Sequence, residues 1–533
     1  MPDRDGVLVI VAGGNIGLFA DEVRREWVIR PAKLEEIERL VVGDIPAAQR
    51  AVGGTITLRE GAVRGVSVRV RFLAVRPTDD EGQEPEDLDS AQVQPVRWEQ
   101  LAQTIKSEYS QYEGFVILHG LDTMAYTASA LSFMLGNLTV PIVLTGAQRP
   151  LNYGRTDAQQ NVISSIAIAA SRSLGLQPVI PEVCVYCHDT LYRGNRVTMR
   201  SSSSYRAFDS PNYPPLAVAG ANIEIQSHVL RRVGSRRNLD YKKDATARIA
   251  IVDVYPGMDD SQISSLRGVA QKSGNGSRTS RVQKSLRGVL LRTYGMGTAP
   301  TTAAFLSALQ DLSDDGVIVL NVTQARSGRI SHDSDPVSLR LMEHGVVSGV
   351  DMTSEAAYAK MVVLLSEGDD PGERTDQLQL AICGEQSQNI FSYHFEEGET
   401  VKEESTYFAH VDPARPMTGR HDLAIDDITH VQLRVLGIRP SAQAAQVNRT
   451  IELSVSLVDK FENQTDELAK LAEDTLRWKP GGRETVNVAY DVTAAARSHV
   501  LRPHPILRLE TSEAVRWVKL SIVVFANVDL EAH

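Results

Sequence analysis

Cysteine is scarce in this sequence, and its scarcity excludes a disulfide framework. Only three cysteines occur among 533 residues: Cys184, Cys187 and Cys383. So few cysteines are typical of a reducing compartment, and we expect a cytoplasmic protein. Cys184 and Cys187 lie in the apolar run VCVYC, and no second Cys/His pair follows at metal-binding spacing. They are therefore predicted to be two small residues of a buried strand, and neither a metal nor a cofactor is expected.

The sequence also lacks long apolar segments and an excess of positive charge. No apolar run approaches the ~20 residues that a membrane-spanning helix requires. The first residues, MPDRDGVLVIVAGG, have neither the basic region nor the cleavage site of a signal peptide, so we expect no export and no membrane partner. The net charge of −11 disfavours nucleic acid, because phosphate binding depends on clustered Lys and Arg. A small molecule or a protein is the expected partner.

What the sequence does contain is an alternation of apolar strands and amphipathic helices. The aliphatic run Val7–Val11 leads into two glycines, and similar strand-to-glycine transitions follow at residues 114–120 and 141–146. Between these strands, apolar residues recur at three- and four-residue spacing, which predicts helices. The pattern indicates an α/β fold with parallel sheets, in which ligands bind beyond the carboxyl ends of the strands.

The length predicts about three domains, because a domain usually holds roughly 100 to 200 residues. An N-terminal α/β domain is predicted over residues 1–215, a polar linker over 216–245 and a second α/β domain over 246–386. The second domain contains a basic Gly/Ser-rich loop near residues 272–285. Residues 387–533 hold short alternating runs such as HVQLRVLGI and RTIELSVSLV, which predict an all-β, sandwich-like domain.

Much of the chain resembles a known family. The run GFVILHGLDTMAYTASALSFMLGNLTVPIVLTGAQRPLNYGRTDAQQN, residues 114–161, is similar to the central signature of type I bacterial L-asparaginases. Similar stretches include VLVIVAGGNIG, PEVCVYCHDTLYRGNRVT, LRTYGMGTAP and VSGVDMTSEAAYAK, so the resemblance covers roughly residues 6–386. It implies a two-domain asparaginase-like fold and hydrolysis of asparagine to aspartate and ammonia. It also implies a homo-oligomer, a dimer or tetramer, in which a neighbouring subunit completes the site.

Three positions that carry catalysis in this family hold other residues here. The nucleophilic threonine of the family's T-G-G-T-I motif corresponds to Asn15. A carboxamide is a poor nucleophile, whereas acyl transfer needs a hydroxyl or thiol that a base can activate. The first threonine of H-G-T-D-T corresponds to Leu121, and the lysine that follows R-G-N-R-x-T corresponds to Met199. The resemblance therefore implies that the proton-transfer cluster has lost a hydroxyl and a cation.

The ligand-holding positions of the family are matched better. Ser90 and Ala91 lie in the segment LDSAQ, which resembles the family's D-S-S-x-M segment, and Asp122 matches the acidic residue of the second motif. The resemblance implies that Ser90 and Asp122 hold the α-carboxylate and α-amino groups of an amino-acid-like ligand. The family's lid tyrosine corresponds to Trp27, and the asparagine of Y-G-x-G-N-A-P corresponds to Thr298.

Two main hypotheses follow for the function. In the first, the protein has lost asparagine hydrolysis and binds an amino-acid-like ligand or scaffolds an assembly, and the C-terminal β domain contacts a protein partner. In the second, it is an active amidohydrolase with an altered substrate and a different nucleophile, for which the candidates are Ser90, Thr123, Thr198 and Thr298. Ordinary asparaginase activity by a variant mechanism is the third hypothesis.

Overall fold

The structure is a computed structural model, and it describes most of the chain. The described residues are 6–23, 26–43, 54–58, 66–75, 89–176, 179–231, 239–270, 285–330, 336–367, 371–395, 398–399, 405–409, 428–440, 449–461, 464–478, 486–496, 506–511, 515–517 and 519–527. The basic loop predicted near residues 272–285 lies outside these ranges apart from its last residue.

The N-terminal region alternates strands and helices. Its elements are β1 (Val7–Val11), β2 (Leu18–Val23), β3 (Glu26–Pro31), α1 (Leu34–Val42), β4 (Gly54–Leu58), β5 (Val66–Ala74), α2 (Pro95–Glu108), β6 (Gly114–Leu118), α3 (Met124–Met134), β7 (Leu135–Gly136), β8 (Ile142–Thr145), α4 (Ala158–Ala169), β9 (Val183–Cys187), β10 (Thr190–Arg193), β11 (Thr198–Met199), β12 (Phe208–Asp209), β13 (Ala217–Ala219), β14 (Ile223–Ile225) and β15 (Asp240–Tyr241). Short 3-10 helices span Asn15–Gly17, Ser90–Gln92 and Ser227–Val229.

A nine-stranded sheet forms the centre of this region, in the order β14-β13-β10-β9-β8-β6-β1-β5-β4. Strands β5, β1, β6, β8 and β9 run parallel, and β1, β6, β8 and β9 are buried along their whole length. This confirms the predicted sheet, because strands covered by helices on both faces are apolar throughout. Cys184 and Cys187 are both buried in β9 and face opposite hydrophobic clusters, as expected for packing residues.

The predicted linker, residues 216–245, differs from the structure in its first part. Strands β13 and β14 fall inside it, and they pair with each other and with β10 to extend the nine-stranded sheet. These residues therefore belong to the first domain. The prediction missed them because strands of three residues are too short to show an alternating pattern.

The second α/β region follows and has a simpler sheet. Its elements are β16 (Arg248–Asp253), α5 (Ser261–Ala270), β17 (Leu286–Thr293), α6 (Ala303–Asp314), β18 (Ile318–Thr323), α7 (Pro336–Glu343), β19 (Val346–Ser348), α8 (Ser354–Leu364) and α9 (Pro371–Gln379). The four strands are parallel in the order β16-β17-β18-β19. Thr302 and Thr353 cap α6 and α8, because each side chain accepts a hydrogen bond from a first-turn backbone N–H.

The C-terminal region contains two antiparallel sheets, in agreement with the predicted all-β region. Its elements are β20 (Gln388–Phe395), β21 (Gly398–Glu399), β22 (Ser405–Ala409), β23 (Ile428–Pro440), β24 (Arg449–Phe461), β25 (Gln464–Trp478), β26 (Val486–Asp491), α10 (Thr493–Ala496), β27 (Ile506–Thr511), β28 (Val515–Trp517) and β29 (Lys519–Asn527). One sheet has the order β20-β29-β23-β28-β21, with β26 also paired to β23, and the other has the order β22-β27-β24-β25. Apolar residues of both sheets share one hydrophobic cluster, as in a sandwich.

A buried polar cluster joins the two α/β regions. Arg196, from the loop after β10, donates to the carboxylate of Asp351 at 2.9 Å and to the carbonyl oxygen of Gly384 at 2.7 Å. Asn195 donates to the carbonyl oxygen of Cys383 at 3.0 Å, and Arg193 donates to that of Gly384 at 3.4 Å. The first domain is therefore anchored to the segment that leads into β20.

None of the helices in the described ranges has the length and apolar character needed to cross a membrane.

Candidate functional site

The candidate site lies at the carboxyl edge of the nine-stranded sheet, where three loops touch. One loop follows β1 at Ala12–Asn15, the second follows β6 at His119–Thr123, and the third begins at Ser90. A Cβ atom placed on Gly14 would lie 2.2 Å from the Cα of Gly120, and one on Gly120 would lie 2.4 Å from the Ser90 Oγ. Only glycine fits at these two contacts, and the loops are brought together at the edge where parallel sheets bind ligands.

Asn15, at the predicted nucleophile position, is exposed and begins a 3-10 helix. Its side-chain Nδ2 donates to the carbonyl oxygen of Gln148 at 3.3 Å, so this amide joins the β1 loop to the loop after β8. No base is hydrogen-bonded to Asn15 among the described residues, and a carboxamide offers no proton whose removal creates a nucleophile. The side chain is suited to hydrogen bonding.

Leu121 and Met199 contribute to one apolar cluster. Leu121 is only 8% exposed and belongs to the large core cluster that includes Ala12 and Met124. Met199, in β11, is half-buried and packs against the same cluster. Neither side chain can carry a proton or hold a water by hydrogen bonding. The two side chains therefore add to core packing, at positions where the resemblance implies a hydroxyl and a cation.

Ser90, Ala91 and Asp122 form a different part of the site. Asp89 caps the Ser90–Gln92 helix by accepting from the Ala91 backbone N–H at 2.9 Å, and Thr123 Oγ1 donates to the Ser90 carbonyl oxygen at 2.8 Å. The Ser90 segment is thus fixed against the loop that carries Asp122. Within the described ranges, neither the Ser90 hydroxyl nor the exposed Asp122 carboxylate has a hydrogen-bond or ion-pair partner. Both groups remain available to a ligand.

His119 is the first residue of the loop that carries Asp122, and its buried imidazole is not available as a base. It is 1% exposed, its Nδ1 donates to the Gly120 carbonyl oxygen at 2.7 Å, and its Nε2 lies 3.0 Å from Thr127 Oγ1. Burial lowers the pKa of His119 to about 4, with a further lowering from the charge of Arg97. The imidazole is therefore neutral near pH 7, and both ring nitrogens are occupied.

This burial predicts a loss of stability in mild acid. The unfolded state takes up a proton as the pH falls below the ordinary pKa of 6.5, whereas folded His119 stays neutral down to a pKa of about 4. Between these values the free energy of unfolding is expected to fall by roughly 1.4 kcal/mol per pH unit, with no contribution above them. Urea denaturation at several pH values measures this slope. The slope should be flatter in the variant His119→Asn and unchanged in the control His228→Asn, whose histidine is exposed. Equal slopes in all three proteins would contradict the assignment.

The other predicted nucleophiles are engaged elsewhere. Thr198 Oγ1 donates to the carboxylate of Glu355 at 2.7 Å, and Thr298 Oγ1 donates to the Tyr294 carbonyl oxygen at 3.5 Å. Thr198 and Met199 line a cavity of about 200 Å³, which Glu355 also lines. Burial raises the pKa of the Glu355 carboxyl. None of these threonines is linked by a hydrogen bond to Asn15 or Asp122.

Trp27 lies in β3, opposite Glu22 of β2, in a hairpin that follows the Asn15 loop. Its side chain lies outside the described part of the structure. Within the described ranges, no group of three or more His, Cys, Asp or Glu side chains is placed to hold a metal ion.

Sequence reasoning missed two features of this region. The first is the anchoring role of Arg193, Asn195 and Arg196, whose partners lie more than 150 residues further along the chain. The second is Arg97, a buried arginine of α2 that contacts the carbonyl oxygen of Ala12. The sequence offers one indication of this role: Arg97 lies next to Trp98 on the apolar face of α2, and an arginine on a buried face needs a specific partner.

Comparison with known proteins matches both α/β regions. Residues 6–231 match the family model of the asparaginase N-terminal domain, and residues 248–378 match that of the glutaminase/asparaginase C-terminal domain. L-asparaginase 1 of Escherichia coli (strain K12) is 37% identical over 280 residues, which is 52% of this chain and 76% of the bacterial protein. The 60 kDa lysophospholipase of Mus musculus is also 37% identical over 280 residues, but this chain spans only 46% of it.

A solved structure agrees with the sequence matches. The crystal structure of L-asparaginase I from Vibrio cholerae superimposes with a TM-score of 0.56 at 31% identity, covering 72% of this chain and 99% of that chain. Neither family match extends beyond residue 378, so the C-terminal sheets lie outside both. The similarity in sequence, the shared fold and the motifs at the carboxyl edge of the sheet agree: this chain belongs to the asparaginase family.

Proposed function

We propose that this protein binds a small amino-acid-like ligand and has lost the hydrolysis of L-asparagine. The proposal rests on a difference between two of the positions implied for catalysis, which are packed in an apolar cluster, and two of the positions implied for ligand binding, which are polar and uncommitted. Leu121 and Met199 are packed with one apolar cluster, whereas the Ser90 hydroxyl and the Asp122 carboxylate have no partner among the described residues. A hydroxyl and a carboxylate are suited to the α-carboxylate and α-ammonium of an amino acid.

The alternative, an amidohydrolase with another nucleophile, has less support. Ser90 is the candidate whose hydroxyl is uncommitted, but no described base is hydrogen-bonded to it, and nucleophilic catalysis by serine needs such a base. Thr123, Thr198 and Thr298 donate their hydroxyl protons to a carbonyl or carboxylate oxygen. Thr198 beside the Glu355 carboxylate is the arrangement that most favours this alternative.

We further propose a cytoplasmic homo-oligomer, as the resemblance to the family implies. Met296 is 66% exposed and Tyr255 is also exposed, and both lie at the carboxyl edge of the second sheet. Exposed apolar side chains at the edge of a sheet support a contact with another subunit. The two C-terminal sheets are proposed to contact a protein partner, since they lie outside the matched domains.

Ammonia release tests the loss of hydrolysis. The purified protein is expected to release no ammonia from L-asparagine or L-glutamine, because no activated nucleophile is present at position 15. The matched variant carries the triple reversion Asn15→Thr, Leu121→Thr and Met199→Lys. If restoring these residues restores hydrolysis, this variant releases ammonia and the unmodified protein does not. Robust turnover by the unmodified protein would refute the proposal, and turnover of other amides would favour the alternative.

A thermal-shift screen of the standard amino acids tests binding, because a ligand that binds only the native state raises its stability by mass action. At a concentration about a hundredfold above the dissociation constant, the stabilisation should reach about 2.7 kcal/mol. Asp122→Ala is expected to abolish the shift, and the exposed Asp314→Ala on α6 should leave it unchanged. Equal shifts in both variants would count against the site.

A further inference from the structure

Arg97 is a buried cation at the carboxyl edge of the nine-stranded sheet. It lies in the first turn of α2 and is 3% exposed. Its Nη2 donates to the carbonyl oxygen of Ala12 at 3.3 Å and also to that of Val75, the residues that follow β1 and β5. Its Nη1 donates to the side-chain oxygen of Gln100 at 3.2 Å. The guanidinium therefore bridges the C-terminal ends of the neighbouring strands β1 and β5, next to the Gly13–Gly14 turn.

Arg97 differs from other buried cations of the chain in its charge balance. Arg193 pairs with Glu182, Arg196 with Asp351 and Lys360 with Glu385, and all six of these side chains are almost fully buried. Arg97 forms no ion pair with any described carboxylate, and its partners are neutral oxygens. Burial lowers the pKa of Arg97 to about 10, so it is still charged near pH 7. No described side chain neutralises its positive charge.

The positive charge of Arg97 lies next to the backbone of the candidate ligand site. Ala12, whose carbonyl oxygen Arg97 binds, immediately precedes Gly13 and Gly14, which have φ angles of 119° and 79°. Their backbone N–H groups donate to no described acceptor, and the Ser90 hydroxyl is also uncommitted. Consecutive N–H groups in such turns form a concave site for anions. The charge of Arg97 also reaches the loop on the other side of this turn, where it contributes to the low pKa of His119.

We propose that Arg97 is a positioning residue that makes this site selective for a ligand carboxylate. It holds the Ala12 carbonyl oxygen, so that the N–H groups of the following turn face the ligand, and it supplies the positive charge that an anion neutralises. The proposal rests on the proposed function and adds the residue that sets its selectivity: Arg97 makes the site favour a free α-carboxylate over the corresponding amide or ester. A negative charge at this point compensates a buried cation that has no counterion among the described residues.

Two probes that differ only at the α-carboxylate test the inference: L-asparagine, which has a free carboxylate, and L-asparaginamide, in which it is an amide. Calorimetric titration at about pH 6, where both amines are protonated, gives the dissociation constant of each. The unmodified protein is expected to prefer L-asparagine, and Arg97→Met should reduce that preference about tenfold by weakening L-asparagine alone. Arg97→Lys, which retains the charge but not the planar fork, should keep most of the preference.

The outcomes separate this inference from the proposed function. If the unmodified protein binds neither probe, the inference fails, and if no amino acid of the thermal-shift screen binds either, the proposed function fails as well. If it binds both equally, or if Arg97→Met keeps the preference, only the role of Arg97 is refuted. Loss of the preference in Arg97→Lys as well as in Arg97→Met would assign Arg97 a purely structural role. Should Arg97→Met not fold, Arg97→Gln, which also removes the charge but keeps hydrogen-bond donors, takes its place and is expected to lose the preference in the same way.

Discussion

Replacing Arg196 with methionine is expected to lower the free energy of unfolding of the α/β regions by about 3–5 kcal/mol. Arg196 and Asp351 are both buried, and their atoms lie 2.9 Å apart. Methionine fills a similar volume but leaves the Asp351 carboxylate buried without its cation, and it removes the hydrogen bond to the Gly384 carbonyl oxygen. The shift of the urea denaturation midpoint, followed by tryptophan fluorescence, measures the loss.

The matched control is Arg326→Met. Arg326 and Asp209 join the same two regions by an ion pair of 3.0 Å, but their side chains are 49% and 30% exposed to solvent. Water screens such a pair, so its loss should change the stability by less than about 1 kcal/mol. Similar effects of the two substitutions would show that burial does not set the strength of the Arg196 anchor.

Replacing Gly14 with alanine is expected to lower the stability by about 2–5 kcal/mol and to abolish any ligand-induced shift. The added Cβ atom would lie 2.2 Å from the Cα and 2.3 Å from the N of Gly120, both backbone atoms that cannot rotate away. The φ angle of 79° adds the strain of a left-handed conformation. Thermal denaturation with and without the best amino acid of the screen measures both effects.

Gly257→Ala separates the two causes. Gly257 has nearly the same φ angle, 83°, but no atom lies within 4 Å of the position of its Cβ. This variant should show only the conformational strain, about 1 kcal/mol, and should retain ligand binding. If Gly14→Ala were no worse than Gly257→Ala, the two loops of the candidate site would not be in the close contact described.

The regular parts of the fold could be predicted from the sequence because burial on both faces leaves an unbroken apolar run. Strand β1 is the clearest case, since all five of its residues are buried. Strand β25 shows the limit: its apolar residues Leu468, Leu471, Ala472 and Leu476 have helical spacing, yet it pairs with β24 across 13 residue pairs. Two register shifts in that ladder displace the alternation, so the strand pattern is hidden.

In the candidate site, too, some features could be predicted from the sequence and others could not. Asn15, Ser90, Leu121 and Asp122 could be located from the sequence because the segments around them resemble family motifs, and Asn15, Leu121 and Asp122 also follow predicted strand ends. The partners of Asn15 and Arg97 could not, because they are backbone carbonyl oxygens of distant segments. A backbone oxygen is present at every residue and leaves no signal in the sequence. Only the three-dimensional approach of the loops shows which oxygens these side chains reach.

The segment from Cys383 to Ser387 decides where this chain can be divided. It lies beyond residue 378, where the second family match ends, and it directly precedes β20. Arg193, Asn195 and Arg196 all donate to it, and the Ser387 backbone N–H donates to Asp351 at 2.8 Å. A fragment that stops at residue 378 would leave these guanidinium groups facing a void in the first domain. An expression boundary for the two asparaginase-like domains alone must therefore fall after Ser387, even though the second family match ends at residue 378.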